Sequence, residues 1–361
     1  MNSQVEVNDT SPHEWDSFVS LSPQGHLLQS SRWGRLKSLF GWSYDLVVVR
    51  QGASIVAGAQ VLFRKWPVIG RICPMTVGYV PKGPVLDYDN EDLLNTLLAG
   101  VNRLCRQRGA AWLKIEPDEL HSPTLKDRLL AAGFQQSRQT VQPQSTIVIN
   151  LTSGIEACLA RMSAKTRYNI RLAERKGIRV ATGTAGDVEE FYRLILWTSQ
   201  RDRFPVHSLA YYQKAYELFK EIDAVELFLA FFEDQLLAGL MAFAMGKKAW
   251  YLYGASSDEE RNRMPNHALQ WAAMNWAWNK GCDYYDLWGI PPEAPLLEEE
   301  QPLRLKGLLE SPPPGSLWGV YRFKRGFGGE VIRWIGAYDR VYSPGIYWLY
   351  NQFIARGHRP A

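Results

Sequence analysis

The sequence predicts an α/β fold made of two tandem copies of one layered domain, and three observations predict it. A strand, a turn and a second strand occur in each half: residues 50–63, with Gly52 supplying the turn, and residues 232–243. Val56-Ala57-Gly58-Ala59 then falls on Leu237-Ala238-Gly239-Leu240. Each half next carries a helix that ends at a glycine with basic residues in its last turn, 92–108 before Gly109 and 267–280 before Gly281. A strand follows both times, at 111–115 and 283–287. The same units in the same order point to duplication, and strands joined by crossing helices point to layered α/β domains.

Taken in order, the first domain is expected over residues 1–150, with Lys37 on a helix ahead of the first hairpin. The second is expected over 151–331, opening with a helix near Gly154. That helix, 155–176, carries Arg161, Lys165, Arg167, Arg171, Arg175 and Lys176 against Glu156 and Glu174. Its basic residues recur every four positions and form two stripes. Such a face either keeps a helix soluble or receives a phosphate-rich partner, an RNA backbone or an anionic membrane leaflet. Pro312-Pro313-Pro314-Gly315, after Glu298-Glu299-Glu300, reads as a stiff surface loop. Phe323-Lys324-Arg325-Gly326-Phe327-Gly328-Gly329-Glu330 reads by itself as a strand and a hairpin turn, with Lys324 facing solvent. Yet three glycines let backbone come close to a ligand, and the flanking Phe rings strip water from the ammonium. A lysine held in that way can stabilise developing negative charge.

A chain of 361 residues with 46 % hydrophobic residues suits two domains with real cores, and 14 Trp with 17 Tyr imply heavily aromatic packing or deep clefts. A formal charge of +4 excludes a polycation that coats nucleic acid indiscriminately, so any polyanion must meet a local patch. Cys73, Cys105, Cys158 and Cys282 lie far apart, with no CxxC pair and no histidine at metal-ligand spacing. They read as buried thiols of a reducing compartment, and no metal is expected. The N-terminal residues lack the basic and apolar regions of a signal peptide. The longest apolar run, near 236–245, is about half of a bilayer crossing. A cytoplasmic protein is expected, still able to work at a membrane surface.

Several segments carry more specific information. Gln29-Ser30-Ser31-Arg32-Trp33-Gly34-Arg35-Leu36-Lys37, Lys82-Gly83-Pro84-Val85 and Ser163-Ala164-Lys165-Thr166-Arg167-Tyr168-Asn169-Ile170-Arg171-Leu172-Ala173 are followed by 236–244, 250–256, Arg261 with Pro265-Asn266, 267–271, 281–290 and 323–330. In number and order these resemble the FemABX family, the aminoacyl-tRNA-dependent peptidyltransferases that build peptidoglycan cross-bridges. The resemblance covers roughly residues 15–344. It implies two tandem GNAT-like domains facing a cleft, the first completed by the tail 332–361. Without a sustained apolar heptad the chain resembles the branch that lacks a long helical arm. A monomer is implied.

The resemblance also implies a reaction, attack by a stem-peptide side-chain amine on the ester that joins an amino acid to tRNA. Aminoacyl-tRNA would be the co-substrate, and lipid II or UDP-MurNAc-pentapeptide the acceptor, with no cofactor. Such aminolysis passes through an oxyanion and needs a donor where that charge develops, but no covalent enzyme intermediate. Lys324, beside Phe323, matches the family lysine placed at the tRNA acceptor end and the reacting ester. Lys37 matches the lysine for precursor phosphate, against the plainer reading of a solvated helix lysine. Tyr211 matches a tyrosine that contacts the precursor, and Tyr253 a cleft tyrosine that would otherwise be strand packing. Where the family often has arginine four residues before Tyr211 this chain has His207, leaving Arg201 or Arg203 to supply the charge. Asp87 stands near the family's acidic position as a proton acceptor, whereas Asp286 reads as the partner of a neighbouring arginine.

Two rival readings remain at this point. An acyl-CoA N-acyltransferase needs a glycine-rich loop whose amides cradle a pyrophosphate at a helix N-terminus. The corresponding Arg261-Asn262-Arg263-Met264-Pro265-Asn266 lacks the glycines and loses an amide at Pro265. The second rival is a non-catalytic protein that binds cell-wall precursors.

Overall fold

The structure, a computed structural model, describes residues 3–68, 73–202, 204–296 and 316–355. The chain divides into two compact units, Met1–Gln142 with Trp334–Ala361, and Pro143–Arg333.

The first unit is a seven-stranded sheet in the order β1-β2-β3-β4-β5-β14-β6. Its strands are β1 (Ser3–Val7), β2 (Ser43–Gln51), β3 (Ser54–Val68), β4 (Cys73–Pro81), β5 (Ala110–Glu116), β6 (Gln135–Gln136) and the returning β14 (Tyr338–Val341). The helices are α1 (Pro12–Leu21), α2 (Ser31–Ser38), α3 (Glu91–Gln107), α4 (Pro123–Ala131) and, at the end of the chain, α11 (Pro344–Ala355). Helix α3 starts where the Asn90 side chain accepts from Leu93 N–H and stops before Gly109, whose φ of +64° suits glycine. Its apolar face, Leu94, Leu97, Leu98 and Val101, packs on Val47, Ala59 and Val61. On the opposite face of the sheet α11 lays Tyr347 against Met75, Val77 and Trp112.

The second unit has its own seven-stranded sheet, β13-β7-β12-β11-β10-β9-β8. It uses β7 (Ser145–Asn150), β8 (Ile178–Thr182), β9 (Val225–Phe232), β10 (Gln235–Met245), β11 (Lys248–Ser256), β12 (Tyr284–Ile290) and β13 (Glu330–Arg333). Helices α5 (Ile155–Arg161), α6 (Ala164–Arg175), α7 (Val188–Asp202), α8 (Leu209–Lys220), α9 (Pro265–Asn279) and α10 (Leu317–Arg325) cover it. In each unit an antiparallel run of strands leads to a helix that crosses to a parallel partner: α3 joins the parallel pair β4 and β5, and α9 joins β11 and β12. The repetition of hairpin, helix and strand is thus a repetition of topology.

Three expectations need correction. The boundary lies at 142/143, because β7 pairs with β12 and β13 of the second sheet and so leaves the first domain. The single helix 155–176 is two helices, since Met162 is extended and Ser163 caps α6 by accepting from Thr166 N–H. The segment around Lys324 is the last turn of α10, and Lys324 is buried, not solvent-facing. The Pro312–Gly315 loop and the Glu298–Glu300 run lie outside the described residues.

Candidate functional site

Lys324 is 5 % exposed, and its ammonium donates to the Gly289 carbonyl at 2.8 Å while lying 5.5 Å from the centre of the Tyr251 ring. The carbonyl is presented by an irregularity in β12. Between Asp286 and Gly289 the register with β7 shifts, and Trp288 takes a left-handed φ of +63°. A bulge of this kind re-aims the backbone, and a bulky residue in that region marks stored strain. The buried Asp286 carboxylate is fixed at the same place, accepting from Thr146 Oγ1 and from Trp288 N–H, the latter at 2.7 Å. Desolvation lowers the Lys324 pKa to about 7, and the negative charge of Asp286 opposes that fall. Asp286 therefore serves this lysine, a role that its sequence reading as an arginine's partner did not contain. The result is a lysine poised between ammonium and amine near neutral pH.

The aromatic flanks of Lys324 hold something else. Phe323 and Phe327 enclose His267, with ring centres 5.1 and 5.9 Å from the imidazole. Nε2 of His267 lies 3.2 Å from Nδ2 of Asn169 on α6. Desolvation, with Lys165 nearby, lowers the His267 pKa to about 4, so the ring is neutral at pH 7. The backbone N–H of Ser163 donates to the Gly326 carbonyl at 2.9 Å. The two signatures 163–173 and 323–330, far apart in sequence, thus form one junction between α6 and α10.

Elsewhere in the second unit His207 stacks on Tyr211 with ring centres 3.8 Å apart, and Tyr253 packs edge-on to Tyr212 at 5.1 Å. Burial is the main cause that raises the pKa of both the Tyr211 and the Tyr253 hydroxyls. His207, Tyr211 and Tyr253 are therefore brought together. Arg201 pairs with Asp202 and Asp258, both at 2.9 Å, so its charge is engaged within its own unit; Arg203 lies outside the described residues.

In the first unit Lys37 leaves the last turn of α2 with its ammonium 5.8 Å from the Trp33 ring and 5.9 Å from that of Trp42. Arg64 reaches the same Trp42 ring at 5.6 Å. Burial, then the Arg64 charge, lowers the Lys37 pKa to about 8. Two cations on one indole make a locus for an anion. The signatures 29–37 and 82–85 meet structurally as well: Gln29 donates to Pro81 O at 2.7 Å and accepts from Gln60 N–H at 2.8 Å. A Cβ on Gly83 would stand 2.7 Å from Gln29 Cδ, so only glycine fits there. Asp87 is exposed, its side chain accepting from Asp89 N–H in the turn before α3. Two buried carboxylates lie in the segment that follows β5: Asp118, 3.2 Å from Lys82, and Glu116, at the end of that strand, which accepts from Tyr79 and from the N–H groups of Val141 and Gln142. Desolvation raises the Glu116 pKa. Nothing in their spacing singles them out from Asp87; burial does.

At α9 three of the first-turn amides are engaged or missing. Pro265 occupies the first position, and the N–H groups of His267 and Ala268 both reach Met264 O. That leaves a poor cradle for a pyrophosphate. Among the described residues no three His, Cys, Asp or Glu side chains form a group that could hold a metal ion. None of the described helices is long and apolar enough to cross a membrane.

The sequence matches the model of the FemAB family over residues 10–128, 130–235 and 224–354. It is 25 % identical to a lipid II:glycine glycyltransferase of Staphylococcus aureus (strain MRSA252), across 95 % of this chain and 94 % of that protein. The corresponding protein of Staphylococcus saprophyticus is 26 % identical across 92 % of both. Among solved structures the chain superposes on FemX with a TM-score of 0.81 at 24 % identity, covering 97 % of this chain and 99 % of the other. A tandem GNAT protein from the clavulanic acid pathway aligns with a TM-score of 0.53 at 13 % identity, over 94 % and 99 % of the two chains. These likenesses bear out the doubled GNAT-like fold.

Proposed function

The chain belongs to the FemAB family, and from that premise we propose that it transfers an amino acid from aminoacyl-tRNA to the side-chain amine of a peptidoglycan precursor's stem peptide. The relatives named above act on lipid II, which makes a lipid-linked precursor the first acceptor to test. In the reaction the amine nitrogen forms a bond to the ester carbon, the carbon–oxygen bond to the ribose breaks, and the amine's proton ends on the ribose oxygen. The carbonyl oxygen carries negative charge in between.

The observation that supports this reading best is the burial of Lys324 at the β12 bulge. An ammonium prepared in a dry site stabilises an oxyanion far better than one in water, because little reorganisation accompanies the charge. Lys324 would be that donor, and Asp286 would keep it protonated near neutrality. Lys37 and Arg64 would hold precursor phosphate, and His207, Tyr211 and Tyr253 would line the precursor site. Asp87, exposed in a turn, is supported as proton acceptor by its sequence position alone; the substrate's own leaving oxygen can take that role.

Incubation with lipid II or UDP-MurNAc-pentapeptide and a mixed aminoacyl-tRNA pool, read by mass spectrometry, tests the reading. A discrete mass increment that disappears after RNase treatment is expected. Transfer that survives RNase but requires acetyl-CoA would overturn it.

A further inference from the structure

Strands β7 and β12 keep their antiparallel register as far as Asp286, which faces Val148, and resume it at Gly289, which faces Thr146. Three steps along β12 match two along β7, so β12 carries one extra residue there. Thr146 is the residue at which pairing resumes, and its backbone therefore holds Gly289, whose carbonyl receives the Lys324 ammonium. Its side chain reaches back across the bulge: Oγ1 donates to the Asp286 carboxylate and has the Trp288 carbonyl 3.1 Å away as a second acceptor. The Trp288 N–H closes the loop on the same carboxylate oxygen. One residue of the neighbouring strand is thus bound to both residues that give Lys324 a polar neighbour.

The left-handed φ of Trp288 costs free energy and persists only where the surroundings over-determine it. Thr146 can do that. It is 1 % exposed, sits between β12 and β13, where it faces Ile332, and as a β-branched residue leaves its hydroxyl few rotamers. The neighbouring phenols, Tyr251 on β11 and Tyr285 on β12, stay neutral near pH 7 because burial raises both pKa values. Glu330 on β13, in the ladder row of Val148, is exposed, and His267 on α9 is neutral at pH 7. Arg322 and Arg325 flank Lys324 on α10 as fixed cations. Among the described residues, the titrating charge at the bulge is therefore chiefly that of Asp286 and Lys324.

We propose that Thr146 is a positioning residue for Lys324: its backbone fixes Gly289 and its hydroxyl fixes Asp286, so that carbonyl and carboxylate face the ammonium together. Its part in turnover rests on the reading of Lys324 as the oxyanion donor. Without the hydroxyl the carboxylate loses a donor, the strained turn at Trp288 loses its clamp, and Asp286 swings off the lysine. The buried ammonium is then less well supported, and it releases its proton more readily.

Thr146→Val keeps the shape and removes the hydroxyl, whereas Thr146→Ser keeps the hydroxyl; Thr146→Ala replaces the valine variant if that one does not fold. The test is a pH titration of the Lys324 side-chain nitrogen by NMR in the full chain labelled with 15N-lysine, the resonance being assigned by its absence in Lys324→Met. Thr146→Val should weaken proton binding roughly threefold or more, moving the midpoint below the parent's value of about 7, and Thr146→Ser should keep it. In an Asp286→Asn background Thr146→Val should move the midpoint no further, because the hydroxyl acts on the lysine through the carboxylate. At saturating charged tRNA, turnover of Thr146→Val should fall roughly tenfold with an unchanged KM for precursor, and Thr146→Ser should recover most of it. A midpoint that Thr146→Val leaves in place, even with a loss of stability, would overturn the proposal. So would an equal displacement with and without Asp286, or a serine variant as impaired as the valine one. If neither acceptor is ever modified, the transferase reading fails, and the titration still decides the clamp.

Discussion

The ammonium of Lys324 donates to the Gly289 carbonyl at 2.8 Å, one residue beyond Trp288, whose left-handed backbone turns that carbonyl toward it. A buried cation held by a neutral carbonyl and one nearby carboxylate is well placed to meet a developing anion. Lys324→Ala should lower turnover roughly a hundred- to a thousandfold, the loss seen when one oxyanion donor is removed. Lys324→Met keeps the apolar stem and removes a desolvated charge, so it should be equally inactive while unfolding no earlier than the parent. A Lys324→Ala enzyme within a few-fold of the parent at saturating charged tRNA would refute the donor role.

The pH profile carries an independent signature. A lysine lowered to about 7 loses its charge as pH rises through that value, so turnover that depends on the ammonium should fall above about pH 7. Asp286→Asn removes the charge that opposes the shift, and the falling limb should move to lower pH. The same depression has a stability consequence. Between about 7 and the usual 10.5 the unfolded chain binds the proton that the folded chain releases, so stability rises with pH across that window. Below it the cost of the buried charge is fully present. A limb that does not move in Asp286→Asn would remove the carboxylate from the mechanism.

Much of this is legible in the sequence because glycines, capping residues and repeated order are local signals. The duplication, the helix ends at Gly109 and Gly281, and the order of the signatures need no tertiary information. The secondary structure around Lys324 does not follow, because three glycines look like a hairpin until Gly326 is seen closing α10 and Gly328 turning toward β13. His267 is visible only as a helix residue, since its meaning depends on Phe323, Phe327 and Asn169 arriving from elsewhere. Glu116 and Asp118 do not stand out from Asp87 for the same reason: burial has no signature in a short acidic stretch.

Lys37 makes a different kind of prediction. Far from the ester in function, a phosphate contact stabilises ground and transition states alike. Lys37→Ala should therefore raise the KM for the precursor several-fold and leave kcat close to the parent value. Arg64→Ala removes the neighbouring cation, and the Lys37 pKa should then rise from about 8 toward its ordinary value. Precursor binding in Arg64→Ala should consequently persist to higher pH, though with lower affinity. An unchanged KM in Lys37→Ala would remove it from the phosphate site.

The junction between α6 and α10 is testable through a single glycine. Gly328 has a φ of +77°, and a Cβ there would lie 2.5 Å from the carbonyl oxygen of Arg161, a backbone atom just before α6 that cannot swing aside. Gly328→Ala should therefore combine left-handed strain with a backbone clash, destabilising its unit by about 2–4 kcal/mol. A Cβ on Gly345, in the first turn of α11, would meet nothing within 4 Å, and Gly345→Ala should leave stability unchanged or raise it by about 0.5–1 kcal/mol through the unfolded chain. The two substitutions differ chemically by nothing, so opposite signs in their unfolding midpoints isolate geometry as the cause. Because Gly328 lies four residues beyond Lys324, the surviving folded fraction of Gly328→Ala should also show reduced turnover, whereas Gly345→Ala should not. An unchanged midpoint and full activity in Gly328→Ala would mean that the 323–330 segment does not depend on its contact with the Arg161 backbone at the end of α5.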